Sequence, residues 1–111
     1  MPVWTMTEVA QYKEITSRYP VVVMFCCESW SPTCQQMIPL FNQYADDPEF
    51  AKIWFYKIDC DVQPDISHYC NIVKLPTFFF FKNGQKTDTL VGSHLYSHAL
   101  LKLLRKHNAA R

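Results

Sequence analysis

The chain has 111 residues, 49% of them hydrophobic and 15% aromatic, with 11 basic against 10 acidic side chains. That length supports one domain over residues 1–111, and the apolar content is enough for a core that needs no covalent staples. A formal charge of +1 leaves no electrostatic footprint for nucleic acid or an anionic membrane surface, and no apolar run is long enough to span a bilayer.

The opening residues Met1-Pro2-Val3-Trp4 lack the basic start and apolar middle of a secretory signal. Thr5-Met6-Thr7-Glu8 has capping-box spacing, and Val9, Tyr12, Thr16 and Tyr19 follow at helical intervals, so a first helix is expected, ended by Pro20. Val21 to Cys26 is a continuous apolar run, the signature of a strand covered on both faces. A second helix is predicted from about Pro32 to about Ala45, with Met37, Leu40, Phe41 and Tyr44 on one face and a kink at Pro39. Ile53 to Ile58 reads as another buried strand, and Pro64 to Tyr69 as a short helix or turn.

Thr77 to Phe81 is a third strand. Lys82-Asn83-Gly84-Gln85 is an Asn-Gly hairpin turn, and Thr87 to Val91 returns antiparallel. Gly92 interrupts, and a closing helix carries Tyr96, Leu100, Leu103, Leu104 and His107 at three- and four-residue steps. The alternation predicts an α/β fold with a central mixed sheet flanked by helices on both faces.

Chemistry concentrates at Trp30-Ser31-Pro32-Thr33-Cys34. Two residues three apart at the start of a helix have Cα atoms about 5–6 Å apart, a separation that suits a disulfide. The helix mouth offers free N–H groups and positive potential, which stabilise a thiolate, the species that attacks disulfides. In such a quartet the outer residue is the nucleophile and the inner one resolves. Here the outer residue is Ser31, whose hydroxyl cannot replace a thiolate. The same residues also have a purely structural reading, because Ser is a preferred N-cap and Pro is favoured at the first helical position.

The five cysteines, Cys26, Cys27, Cys34, Cys60 and Cys70, are an odd set that points to free thiols in a reducing compartment, and a cytoplasmic location is expected. One of Cys26 and Cys27 is expected to face the core. No zinc spacing occurs, and His68, His94, His98 and His107 form no ligand pattern, so no metal site is expected.

Trp30 to Cys34, Pro39, Leu75-Pro76-Thr77, Lys82-Asn83-Gly84 and Val91-Gly92, in this order, resemble the thioredoxin family, with Lys57 at its buried lysine position. The family's motif is Trp-Cys-Gly-Pro-Cys, and the resemblance covers essentially the whole chain. It implies that Pro76 is cis and that Leu75 and Pro76 pack beside Ser31 and Cys34. It also implies a shallow peptide groove formed by Trp30, Pro32, Thr33, Leu75, Pro76, Val91, Gly92 and Ser93, in which protein disulfide substrates lie as an added strand. By the same resemblance position 31 attacks and Cys34 resolves. A dithiol form would be reduced by a thioredoxin reductase using NADPH, and no cofactor is bound by the chain itself.

Three departures bear on activity. Ser31 replaces the nucleophile, Pro32-Thr33 replaces Gly-Pro, and the family's acidic residue on the central strand falls at Phe25, or at Met24 if the strand carries a bulge. The sequence therefore leaves three readings. It is an oxidoreductase inactive or weak as written, with Ser31 standing for the cysteine of a Cys-Pro-Thr-Cys motif by engineering. It is a natural redox-inactive module that binds proteins through the groove. Or it is a single-thiol enzyme in which Cys34 works with glutathione. A monomer or weak dimer is expected, Cys70 being a candidate for oxidative dimerisation.

Overall fold

The computed structural model describes residues 3–72, 74–92 and 98–109. Ser93, His94 and Tyr96, which the sequence assigned to the groove, the histidine set and the last helix, lie outside them. The elements run β1 (Trp4–Thr5), α1 (Val9–Arg18), β2 (Val21–Cys27), α2 (Pro32–Asp46), a 3-10 turn (Pro48–Phe50), β3 (Trp54–Asp59), α3 (Pro64–Tyr69), β4 (Thr77–Lys82), β5 (Gln85–Val91) and α4 (Ala99–Ala109). The expected α/β architecture is present, with a five-stranded sheet in the order β1-β3-β2-β4-β5. β2 and β3 are parallel, and β4 and β5 are antiparallel to their neighbours.

The central strand explains the layering. All seven residues of β2 are buried, and a strand alternates its side chains between faces. Val21, Val23, Phe25 and Cys27 pack with α2 and α4 residues such as Met37, Phe41 and Leu104. Val22, Met24 and Cys26 pack on the opposite face with Met6, Ile66 and the inner side of α1. The expectation that one of the paired cysteines faces the core is corrected, since Cys26 and Cys27 are both fully buried, one in each layer. The bulge that would have put Met24 in place of Phe25 is absent, because the β2 register runs unbroken against both β3 and β4.

Three local features depart from the sequence reading. The first helix is capped one turn later than expected: Glu8 is the N-cap, and the Gln11 side chain accepts from the Thr7 N–H at 2.7 Å and the Glu8 N–H at 3.1 Å. Thr5 cannot serve there because Trp4 and Thr5 pair with Tyr56 and Lys57 as an edge strand. That two-residue strand is too short to show an alternation. Lys57, expected buried, has a side chain 27% exposed, with its ammonium 3.6 Å from Asp59.

The second helix continues through Pro39 and buries Cys34, Met37, Phe41 and Ala45, with Leu40 and Tyr44 partly covered. The hairpin between β4 and β5 turns at Asn83 (φ 51°) and Gly84 (φ 87°). Both are left-handed, as a two-residue turn matched to strand twist requires. A Cβ at Gly84 would meet no atom closer than 3.8 Å, so backbone conformation rather than space asks for glycine there. The last helix docks through Leu100, Leu104 and His107, whose ring stacks on Phe80 at 4.9 Å and meets Asp88 at 2.8 Å.

Phe41 ties these layers together, with its ring 5.0 Å from Phe25, 5.3 Å from Phe55 and 6.0 Å from Phe78. Truncation leaves a cavity that rigid neighbours cannot fill. Phe41→Ala is expected to lower unfolding free energy by about 3–5 kcal/mol, read from urea denaturation; a loss below about 1 kcal/mol would show that α2 is not clamped this way.

Candidate functional site

The site begins where β2 ends. The chain turns after Cys27, with the Ser31 N–H donating to the Glu28 carbonyl at 3.1 Å. Ser31 is extended (φ −75°, ψ 124°) and is the N-cap of α2. Its hydroxyl accepts the Cys34 N–H at 3.4 Å, and its carbonyl accepts the Gln35 N–H at 2.9 Å. Pro32 follows at the first helical position, where its missing donor costs nothing. The structural reading of Ser31 is thus realised. The turn is held from outside by Asp61, which accepts from the Ser29 hydroxyl at 2.6 Å and its N–H at 3.3 Å. Those bonds, the hydroxyl foremost, hold the Asp61 carboxyl below the usual range. Gln35 closes the ring by donating to the Ser29 carbonyl at 2.8 Å.

Exposure divides the quartet. Trp30 is 65% exposed, Pro32 and Thr33 face solvent, and Ser31 is half-buried. Cys34 is fully buried, and its Sγ accepts the Glu28 N–H at 3.4 Å. The Leu75-Pro76 peptide bond is cis. Pro76 immediately precedes Thr77, which lies in register with Cys26, so the proline borders the end of β2. Leu75 packs against the cluster that contains Cys34. The Gly92 N–H donates to the Pro76 carbonyl at 2.9 Å, with Gly92 at φ 99°, a conformation that favours glycine. Val91, 44% exposed, ends β5 beside this bond. The β2–α2 turn, the Leu75-Pro76 loop and the Val91-Gly92 end of β5 therefore meet at one end of the sheet.

One group escaped the sequence reading. Phe25, in register with Lys57, provides no acid, but Asp59 stands opposite Cys27 on the neighbouring strand. The Cys27 thiol donates to Asp59 Oδ1 at 3.7 Å, and Lys57 Nζ lies 3.6 Å from the same oxygen. The run Tyr56-Lys57-Ile58-Asp59 carried the signal: Lys57 and Asp59, two apart on a strand, share a face. Which strand position faced them could not be read without the register.

The remaining thiols are buried. Burial first, then the Asp59 and Cys34 charges, push Cys27 up to about 12. Burial raises Cys60 to about 11, against a hydrogen bond from Ser67 that lowers it, and lifts Cys26 well above the ordinary thiol range. Among the described residues no group of three or more His, Cys, Asp or Glu side chains is placed to hold a metal ion. No described helix is long and apolar enough to cross a membrane.

The sequence model of the thioredoxin family, described as Thioredoxin, matches residues 3–106. The chain is 42% identical over 83 residues to a thioredoxin of Malassezia sympodialis, covering 75% of this chain and 79% of that one. The crystal structure of Malassezia sympodialis thioredoxin superposes with a TM-score of 0.87 at 36% identity, over 97% of this chain and 95% of that one. A Plasmodium falciparum thioredoxin structure gives 0.84 at 29% identity, over 94% and 98%.

Two outcomes follow from the caps and thiols. Ser31→Ala leaves the Cys34 N–H without its acceptor and is expected to cost about 1 kcal/mol in urea unfolding; no change would mean that water replaces the cap. Cys27 and Cys60 bind their protons more tightly folded than unfolded, so stability is constant below the unfolded thiol value of about 8.5 and falls as pH rises toward the folded values. The urea midpoint should hold steady up to about pH 8 and decline by about pH 10.5, and a flat profile through that window would contradict the buried thiols.

Proposed function

The chain belongs to the thioredoxin family, and from that premise we propose that it is a thiol–disulfide exchange protein for protein substrates whose turnover is weak because position 31 is serine. The observation that carries this reading is the helix mouth itself. Ser31 caps α2 through the Cys34 N–H, in the place where an outer thiolate would attack, while Cys34 lies one turn inside with no exposed surface. A buried resolving thiol without an outer partner cannot open a protein disulfide.

In this reading Trp30, Pro32, Thr33, Leu75, Pro76, Val91 and Gly92 form the substrate groove. The extended peptide lies along the backbone before Pro76 as an added strand, with the exposed Trp30 and Val91 side chains flanking it. A form with cysteine at position 31 would draw electrons from a thioredoxin reductase and NADPH, and the free thiols fit work in the cytoplasm. Full burial of Cys34 also favours a second reading, in which the groove holds protein partners without turnover. It weighs against a single-thiol enzyme, since glutathione would have to reach a covered sulfur.

The deciding experiment is dithiothreitol-driven reduction of a protein disulfide by this chain and by Ser31→Cys. The unmodified chain should stay near background, and Ser31→Cys should exceed it by roughly two orders of magnitude. Equal, substantial rates from both would refute the role given to position 31. A silent Ser31→Cys that still binds disulfide-containing peptides would favour the binding reading instead.

A further inference from the structure

Cys27 and Cys34 are brought together by the turn between β2 and α2. Both side chains enter the same apolar cluster, and both are fully buried. Cys34 Sγ accepts the Glu28 N–H at 3.4 Å, and that nitrogen is separated from the Cys27 Cα by a single carbonyl carbon. The Cys34 sulfur therefore lies within about 6 Å of the Cys27 Cα by standard backbone dimensions, on the side of the strand to which the Cys27 side chain points. The two thiols also feel each other electrostatically. On its other side Cys27 donates to Asp59, whose side chain is 23% exposed and salt-bridged to Lys57. A sulfur held by an N–H at a helix mouth, a second sulfur in the same buried cluster and a carboxylate with a path to solvent are the parts of a disulfide-forming centre. Cys26 and its neighbours Cys60 and Cys70 lie in the other layer.

We propose that Cys27 and Cys34 are an internal redox pair, closed to a disulfide by a hydroperoxide small enough to enter where a protein disulfide does not. The Cys34 sulfur attacks the terminal oxygen of the hydroperoxide. The S–O bond forms, the O–O bond breaks, and the leaving oxygen takes the proton that Cys34 released. Cys27 gives its proton to Asp59 and attacks the Cys34 sulfur. The S–S bond forms, the S–O bond breaks, and the departing hydroxide recovers that proton as water. Two thiols have been oxidised by two electrons, and the hydroperoxide has been reduced. This activity goes beyond protein-disulfide exchange and needs neither a groove ligand nor a thiol at position 31, so its failure and the failure of that function are read separately.

The test treats the full, pre-reduced chain with stoichiometric hydrogen peroxide at neutral pH, blocks remaining thiols and cleaves after glutamate without reduction. Cleavage after Glu28 puts Cys27 and Cys34 on different peptides. The expected result in the unaltered chain is a linked pair that dithiothreitol separates, with Cys26→Ala retaining the link. Cys27→Ala should instead hold Cys34 as a sulfenic acid, captured when the chain is unfolded in the presence of a cyclic diketone probe, and Cys34→Ala should show neither species. A persistent Cys34 sulfenic acid in the unaltered chain, a link through Cys26, Cys60 or Cys70 in place of this pair, or no oxidation of Cys34 would overturn the proposal. Because the primary readout uses the unaltered chain, poor folding of a variant does not shield it.

Discussion

A strand with no face toward water sets the terms for everything around it. All seven residues of β2 are covered, and apolar side chains from four helices and two flanking strands depend on it for their burial. The same covering fixes what chemistry the strand can hold. Phe25 is stacked on Phe78 at 4.8 Å and tilted against Phe41 at 5.0 Å. A carboxylate in that slot would lose its hydration, at a cost of several kcal/mol that only a pairing with Lys57, in register beside it, could offset. Acidity near Cys34 is therefore displaced to β3, where the parallel register sets Asp59 opposite Cys27 and the open end of the strand keeps the charge hydrated. Lys57 joins it there at 3.6 Å.

Strand order also decides which loops meet. Because β2 lies between β3 and β4, its last residues border both the β3 acid and the residue before β4, which is Pro76. The bond from the Gly92 N–H to the Pro76 carbonyl then brings the end of β5 to the same rim. The helix that leaves β2 begins within a few residues and points its N-terminal N–H groups at this rim, adding positive potential. Three segments distant in sequence become one surface through hydrogen-bonded register, with Leu75 packing across the gap against the cluster that contains Cys34.

Long periodic segments were legible in the sequence because burial writes a pattern. The apolar run of β2, the Asn-Gly turn and the spacing of Met37 and Phe41 each follow from one local rule, and the ordered motif set was specific enough to name the family. Features that depend on register were not legible. A two-residue β1 has no period to detect, so Thr5 was read as part of a cap when its backbone is spent on pairing with β3. Asp59 was visible as a residue yet could not be placed against Cys27, since nothing in one sequence states which residues of two parallel strands face each other. The paired cysteines looked like a choice between inside and outside because covering on both faces makes both sides inside.

The two main departures from the family pattern lie at positions 31 and 25. A serine stands at position 31, where the family pattern has the outer cysteine. An aromatic stands at position 25, where the family pattern has an acid. A single substitution accounts for the first and leaves the second unexplained, because Phe25 is built into the packing of Phe41 and Phe78 rather than tolerated beside it. Ser31 is likewise integrated, supplying the acceptor for the Cys34 N–H. Aromatic packing is the more stable use of a slot with no water. Cys27 and Asp59 are gathered next to Cys34, the one thiol of the quartet, so the sulfurs of this rim lie at the buried end of β2 and one turn inside α2 rather than at its exposed start.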